Sequence, residues 1–150
     1  MVAPVSKNIF ESPWEVKETP GAATWKYLDI SGEHLGLRLE ELATGDTSST
    51  HHFHTLEEEH VIVLEGEATL VLGVEEHLVR RGDHFWFKAG EEAGHHIVNR
   101  SEHPFKYLVI GERKEGDVVF YPEKGVVMVK ALKWKQYNFQ QLSKPNRTES

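Results

Sequence analysis

The strongest constraint on the fold is the rhythm of short apolar runs broken by Gly and Asp. Leu35, Leu37 and Leu39 alternate with Gly36 and Arg38, the period of a strand with two different faces. A turn at Ala43-Thr-Gly-Asp46 follows, and further short runs come at His52–His54, Val61–Leu64, Ala68–Leu72 and Leu78-Val79. After the Gly82-Asp83 turn the pattern resumes at Phe85–Phe87, His95–Val98, Phe105–Ile110, Asp117–Tyr121 and Val126–Val129. No stretch carries a helical period. Many short strands at intervals of roughly 8–12 residues predict an all-β sandwich or barrel.

The chain has 150 residues, which fits one domain of ordinary size. Residues 1–25 hold Pro4, Pro13 and Pro20 and read as an arm with one or two edge strands. Residues 26–142 form the predicted single barrel domain, and 143–150 a polar tail. Trp134, Tyr137 and Phe139 precede that tail and are expected to dock on the barrel or on a second subunit.

There is no Cys, which removes disulfides, thiolate zinc sites and a cysteine nucleophile. Seventeen Lys and Arg against 24 Asp and Glu give a net charge of −7. That balance argues against binding nucleic acid or an anionic membrane, both of which need a basic surface. The longest apolar runs fall far short of the ~20 residues of a spanning helix. The simplest expectation is a soluble cytoplasmic protein, and Asn146-Arg-Thr148 then goes unglycosylated.

Ten histidines stand out, and their placement matters more than their number. His52 and His54 share one face of a strand, Glu59 opens the next apolar strand, and His95 lies on a distant one. Three imidazoles and one carboxylate suit a divalent ion such as zinc, iron, manganese or nickel. A five- or six-coordinate ion on four protein ligands keeps positions open for water or substrate. Taken alone, a His-x-His pair is more often an exposed strand face, and Glu57-Glu58-Glu59 alone is a solvated acidic turn.

The spacing of residues 45–99 resembles the cupin superfamily. His52-Phe-His54, four residues, Glu59, six residues and Gly66 match its first motif. Gly82, five residues, Lys88-Ala-Gly90, then His95, three residues and Asn99 match most of its second. The resemblance implies a jelly-roll β-barrel (double-stranded β-helix) with metal ligands His52, His54, Glu59 and His95. It also implies turns at Gly66 and Gly82, a structural Asn99 and a homodimer. The chain departs from the pattern in three places. Six residues rather than five separate Gly45 from His52, Lys88 replaces a proline, and four residues rather than two separate Gly90 from His95. Glu58 and His96 are therefore rivals to Glu59 and His95, although the flanking Gly66 and Asn99 favour the latter pair.

The implied function is a metal-dependent enzyme acting on a small oxygenated organic molecule, of isomerase, lyase, cyclase or dioxygenase type. A non-catalytic barrel that binds a sugar or organic acid is the alternative. Phe85-Trp-Phe87 reads first as core packing. Arg38, His84 and Tyr107 are candidates for the barrel mouth, and His34, His60, His77 and His103 for surface or rim.

Overall fold

The computed structural model describes residues 8–17 and 25–139. The polar tail and most of the Pro-containing arm lie outside the described residues.

The chain forms β1 (Glu15–Lys17), β2 (Trp25–Asp29), β3 (Leu35–Leu42), β4 (Phe53–His54), β5 (Glu59–Glu65), β6 (Glu67–Leu72) and β7 (Glu75–Arg80). It continues through β8 (His84–Phe87), β9 (His95–Val98), β10 (Phe105–Glu112), β11 (Val118–Tyr121), β12 (Val126–Val129) and β13 (Lys135–Asn138). Two one-turn 3-10 helices, Pro122–Lys124 and Lys130–Leu132, flank β12. Every strand expected from the apolar runs is present, within a few residues at its ends. The aromatic segment expected to dock back contains β13, an exposed strand that pairs with β12.

The strands form three sheets, in the orders β1-β2-β3-β10-β5-β8, β13-β12-β11-β4 and β7-β6-β9. All the pairings are antiparallel. Period-2 alternation decides which side chains face the interior. On β10, Phe105, Tyr107 and Val109 are buried, and the register sets Tyr107 against Glu40 and Val63, and Val109 against Arg38 and Val61. The core joins those residues to Ala68, Leu70, Val79 and Ile97 of the three-stranded sheet, with Leu42 and Phe87. Apolar burial on this scale is the main stabilising term.

Two residues show why the motif positions lie where they do. Gly66 turns the β5–β6 hairpin at φ 81°, and a Cβ there would stand 2.6 Å from the Pro104 carbonyl oxygen. Only glycine fits both the dihedral and the space. Asn99 is fully buried, and its Nδ2 donates to the carbonyls of Leu42 and His103 at 2.9 and 2.8 Å. Its Oδ1 accepts from the backbone N–H and hydroxyl of Ser101, at 3.0 and 2.7 Å. A buried amide with this many partners ties the end of β9 to the loop leading into β10.

Candidate metal centre

The two strands carrying His52 and His95 meet at an isolated bridge between these residues, linking the four-stranded and three-stranded sheets. Backbone N–H groups donate both ways across it, at 3.3 and 2.9 Å. Glu59 enters from the six-stranded sheet, opposite Gly111 on one side and Phe87 on the other. Side chains from all three sheets therefore converge at one end of the interior.

The imidazole of His52 lies 5.3 Å from that of His54 and 4.7 Å from that of His95, centroid to centroid. Phe87 stacks face to face on His95 at 3.4 Å, and Tyr121 stacks on His52 at 5.7 Å. These aromatic walls hold two of the rings in place.

Hydrogen bonds decide which ring nitrogen is available. His52 Nδ1 donates to the Thr50 carbonyl at 2.8 Å, with the Ser49 hydroxyl at 3.2 Å. His54 Nδ1 faces an Asp117 carboxylate oxygen at 2.6 Å. An Nδ1 that donates leaves Nε2 as the lone-pair nitrogen. His95 Nε2 is buried and has no hydrogen-bond partner. The nearest Glu59 oxygen stands 3.7 Å away, too far for a hydrogen bond. Two ligands on one tetrahedral ion with bonds of ~2.1 Å lie about 3.4 Å apart, so this gap is close to what a shared ion needs.

The electrostatics follow from the same arrangement. Burial, reinforced by neighbouring His95, pushes the His52 imidazole down to about 4. His95 is likewise lowered by burial, against the pull of Glu59. Burial would raise Glu59, but the adjacent His95, His54 and His52 rings outweigh it and hold the carboxyl down to about 2. For His54 burial is overcome by Asp117 and Glu59, and its value is raised. At neutral pH Glu59 is ionised and His52 and His95 are neutral, the protonation that metal ligands require, whereas the carboxylates beside His54 favour its charged form, which would give up a proton to an ion.

The rivals point elsewhere. Glu58 pairs with His60 at 3.1 Å near the surface, and His96 turns to the other face of β9. Of the candidates for the barrel mouth, Tyr107 is buried and Arg38 reaches Glu40 with its side chain 39 % exposed, whereas His84 is exposed beside His60 at 2.9 Å. The aromatic strand divides in the same way: Phe85 and Phe87 join the core, and Trp86 lies outside, 48 % exposed.

Sequence reasoning missed two residues beside the site. Glu57 is buried rather than solvated, ion-paired with Lys130 and accepting the Lys114 N–H at 2.7 Å. Asp117 is fully buried and accepts the Leu56 N–H at 2.9 Å as well as His54. One ligand atom from each of His54, Glu57 and Asp117 lies within 4.8 Å of the others, so this trio is a second possible metal-holding group. The only signal in the sequence was an Asp heading an apolar strand, which any turn would also supply.

The cupin domain family matches residues 38–111, a span that contains all four sequence-predicted ligands. Residues 38–111 carry a cupin domain. This cupin is similar to a crystal structure from Acidithiobacillus ferrooxidans that is named a candidate sugar phosphate isomerase. The identity is 27 %, with 91 % of this chain and 93 % of that one covered, at a TM-score of 0.80. It is similar at 27 % identity to a cupin from Silicibacter pomeroyi named a sugar phosphate isomerase, with 83 % and 85 % covered and a TM-score of 0.74. The polyketide cyclase of Streptomyces resistomycificus shares the fold, at 22 % identity and a TM-score of 0.63, with 76 % and 81 % covered. No curated protein matches the sequence. No helix among the described residues is long and apolar enough to cross a membrane.

Proposed function

We propose that this cupin is a metal-dependent enzyme in which His52, His54 and His95, each through Nε2, and Glu59 through its carboxylate hold one divalent transition ion. The observation that carries this reading is the buried, unpartnered Nε2 of His95 facing Glu59 across 3.7 Å. A buried polar atom without a partner is costly, and an ion would supply the missing contact. Zinc, iron, manganese and nickel all accept such a donor set. Asp117 and the Thr50 carbonyl orient His54 and His52 from behind, the usual arrangement around metal-bound imidazoles. The rival trio is less apt as a primary site, because Glu57 already neutralises Lys130 and Asp117 already accepts from backbone N–H.

A bound ion would act as a Lewis acid toward a carbonyl or hydroxyl oxygen. Around it the chain contributes binding, orientation and control of protons. Arg38 is a half-exposed cation, its side chain 39 % exposed and its Nε donating to Glu40 at 2.9 Å. Tyr107 donates its phenolic proton to Glu40, and burial together with that carboxylate pushes its titration well up, so it stays protonated at physiological pH. A polar, anionic, hydroxylated substrate fits these groups. The two relatives named as sugar phosphate isomerases favour isomerisation of a small phosphorylated sugar over lyase, cyclase or dioxygenase chemistry.

The test is the metal content of untagged protein, followed by assay against a panel of aldose and ketose phosphates. About one equivalent of metal and turnover that is lost in His52→Ala support the proposal. Metal-free protein whose His52→Ala variant keeps full activity overturns it. Thermal stabilisation by a sugar or organic acid without product would instead establish a binding barrel.

A further inference from the structure

Two histidines outside the proposed centre also have buried ring nitrogens without partners. His51 Nε2 and His96 Nδ1 are both shielded from solvent, and neither makes a hydrogen bond. Their neighbours in sequence, His52 and His95, form the bridge between the two strands. In an antiparallel register the next pair outward is His51 with His96, on the opposite face. The rings meet edge to face, 5.2 Å between centroids.

The surroundings are built closely. Gly94 lies against the His51 ring at φ 67°, and a Cβ there would stand 3.0 Å from Nε2. The other nitrogen, His51 Nδ1, is 3.5 Å from a Glu123 carboxylate oxygen on the 3-10 turn after β11. Glu123 is 69 % exposed, so it has room to move toward the pair. Drawn in to hydrogen-bond distance, that carboxylate would fix the His51 tautomer and leave the opposite nitrogen as a lone-pair donor. Two unpartnered imidazole nitrogens on a cross-strand pair, with an acidic side chain in reach, are the donor types that a borderline divalent ion takes.

We propose that His51 and His96, backed by Glu123, form a second transition-metal site on the outer face of the β4–β9 junction, binding zinc, nickel or copper through two imidazoles. Water completes the coordination. The site is independent of the proposed inner centre, since its donors lie on the opposite faces of the same strands.

The test counts nickel equivalents on untagged full-length protein by equilibrium dialysis and calorimetry. Wild type is compared with His96→Gln, His51→Gln and His84→Gln, with folding checked by circular dichroism. Removing either of the first two histidines is expected to abolish one equivalent, or to weaken it at least tenfold. His84→Gln leaves that equivalent in place, which separates the site from the exposed His60–His84 pair. The loss is the same whether or not the inner centre binds metal: two equivalents fall to one, or one to none. Equal nickel binding by wild type, His51→Gln and His96→Gln overturns the proposal, and ordered water is then the partner of both nitrogens. If His51→Gln unfolds, the His96→Gln count decides alone, and Glu123→Gln is expected to weaken the site without removing it.

Discussion

His54 Nδ1 and the buried carboxylate of Asp117 are hydrogen-bonded at 2.6 Å, across 63 positions of sequence. The contact joins β4 to the residue immediately before β11, in the same sheet. It commits the Nδ1 proton of His54 and leaves Nε2 as the lone-pair nitrogen, on a ring 5.3 Å from that of His52. Asp117→Asn is expected to weaken divalent-metal binding about 10–100-fold while leaving the stoichiometry unchanged. Titration calorimetry with manganese or zinc checks this. Loss of the equivalent altogether would make Asp117 a ligand instead.

The two candidate groupings share His54 but differ in everything else. His52→Ala and His95→Ala are therefore expected to abolish tight binding by the inner centre. Glu57→Gln is expected to leave the ion bound and to act mainly through the loss of its Lys130 ion pair. Metal analysis of the three variants, after nickel at the outer pair has been removed by a weak chelator, decides between them. Retention of metal by His52→Ala together with loss in Glu57→Gln would favour the trio.

The metal-free protein should show a two-part acid response. His52 sits below its unfolded value, so the unfolded chain binds the extra proton, and this residue costs stability as pH falls from about 6.5 toward 4. His54 is raised, so it contributes stability below its unfolded value and offsets that cost. Glu59 and Asp117 are lowered; their contributions are present above about pH 4 and are lost as the pH drops through their folded values. His95 and His96 are lowered as well, so the loss outweighs the single gain: urea midpoints are expected to start falling below about pH 6.5 and to fall more steeply below about 4.5. In Glu59→Gln the steep limb should flatten. A midpoint that stays flat from pH 7 down to pH 5 would contradict this.

Gly66→Ala tests the turn that sets the β5–β6 hairpin. The new Cβ would meet the Pro104 carbonyl at 2.6 Å in a left-handed backbone. A loss of at least about 2 kcal/mol is expected, seen as a fall in Tm of roughly 4–8 °C for a chain of this size. Gly45, with the same sign of φ but nothing within 4 Å, should lose much less on the same change.

The fold could be read from the sequence because its strands are short, apolar and punctuated, so local pattern and global architecture agree. That His52, His54, Glu59 and His95 come near one another was legible for a related reason, and their role as ligands is the proposal made above. Period-2 geometry puts His52 and His54 on one face, and flanking Gly66 and Asn99 pin Glu59 and His95. Three-dimensional company could not be read in the same way. Asp117 meets His54 only because β11 pairs with β4, and nothing in the local sequence around 117 encodes that pairing. Glu57 looked solvated because its partner, Lys130, lies 73 residues away. The orientations of Arg38 and His84 were open because each depends on register with a strand elsewhere in the chain.

Each of the two bridged strands carries a histidine doublet, so inner and outer imidazoles differ only by the phase of the backbone. Slipping either strand by one position would send His51 or His96 inward and expel its neighbour. On the first strand the guard against such an error is Phe53, whose ring lies parallel to Phe120 at 5.0 Å and would have to be torn from that stack. A one-residue insertion between His52 and Phe53 would leave that stack in place and turn His52 to the outer face. It would take one imidazole from the inner cluster while leaving the composition of the protein almost untouched.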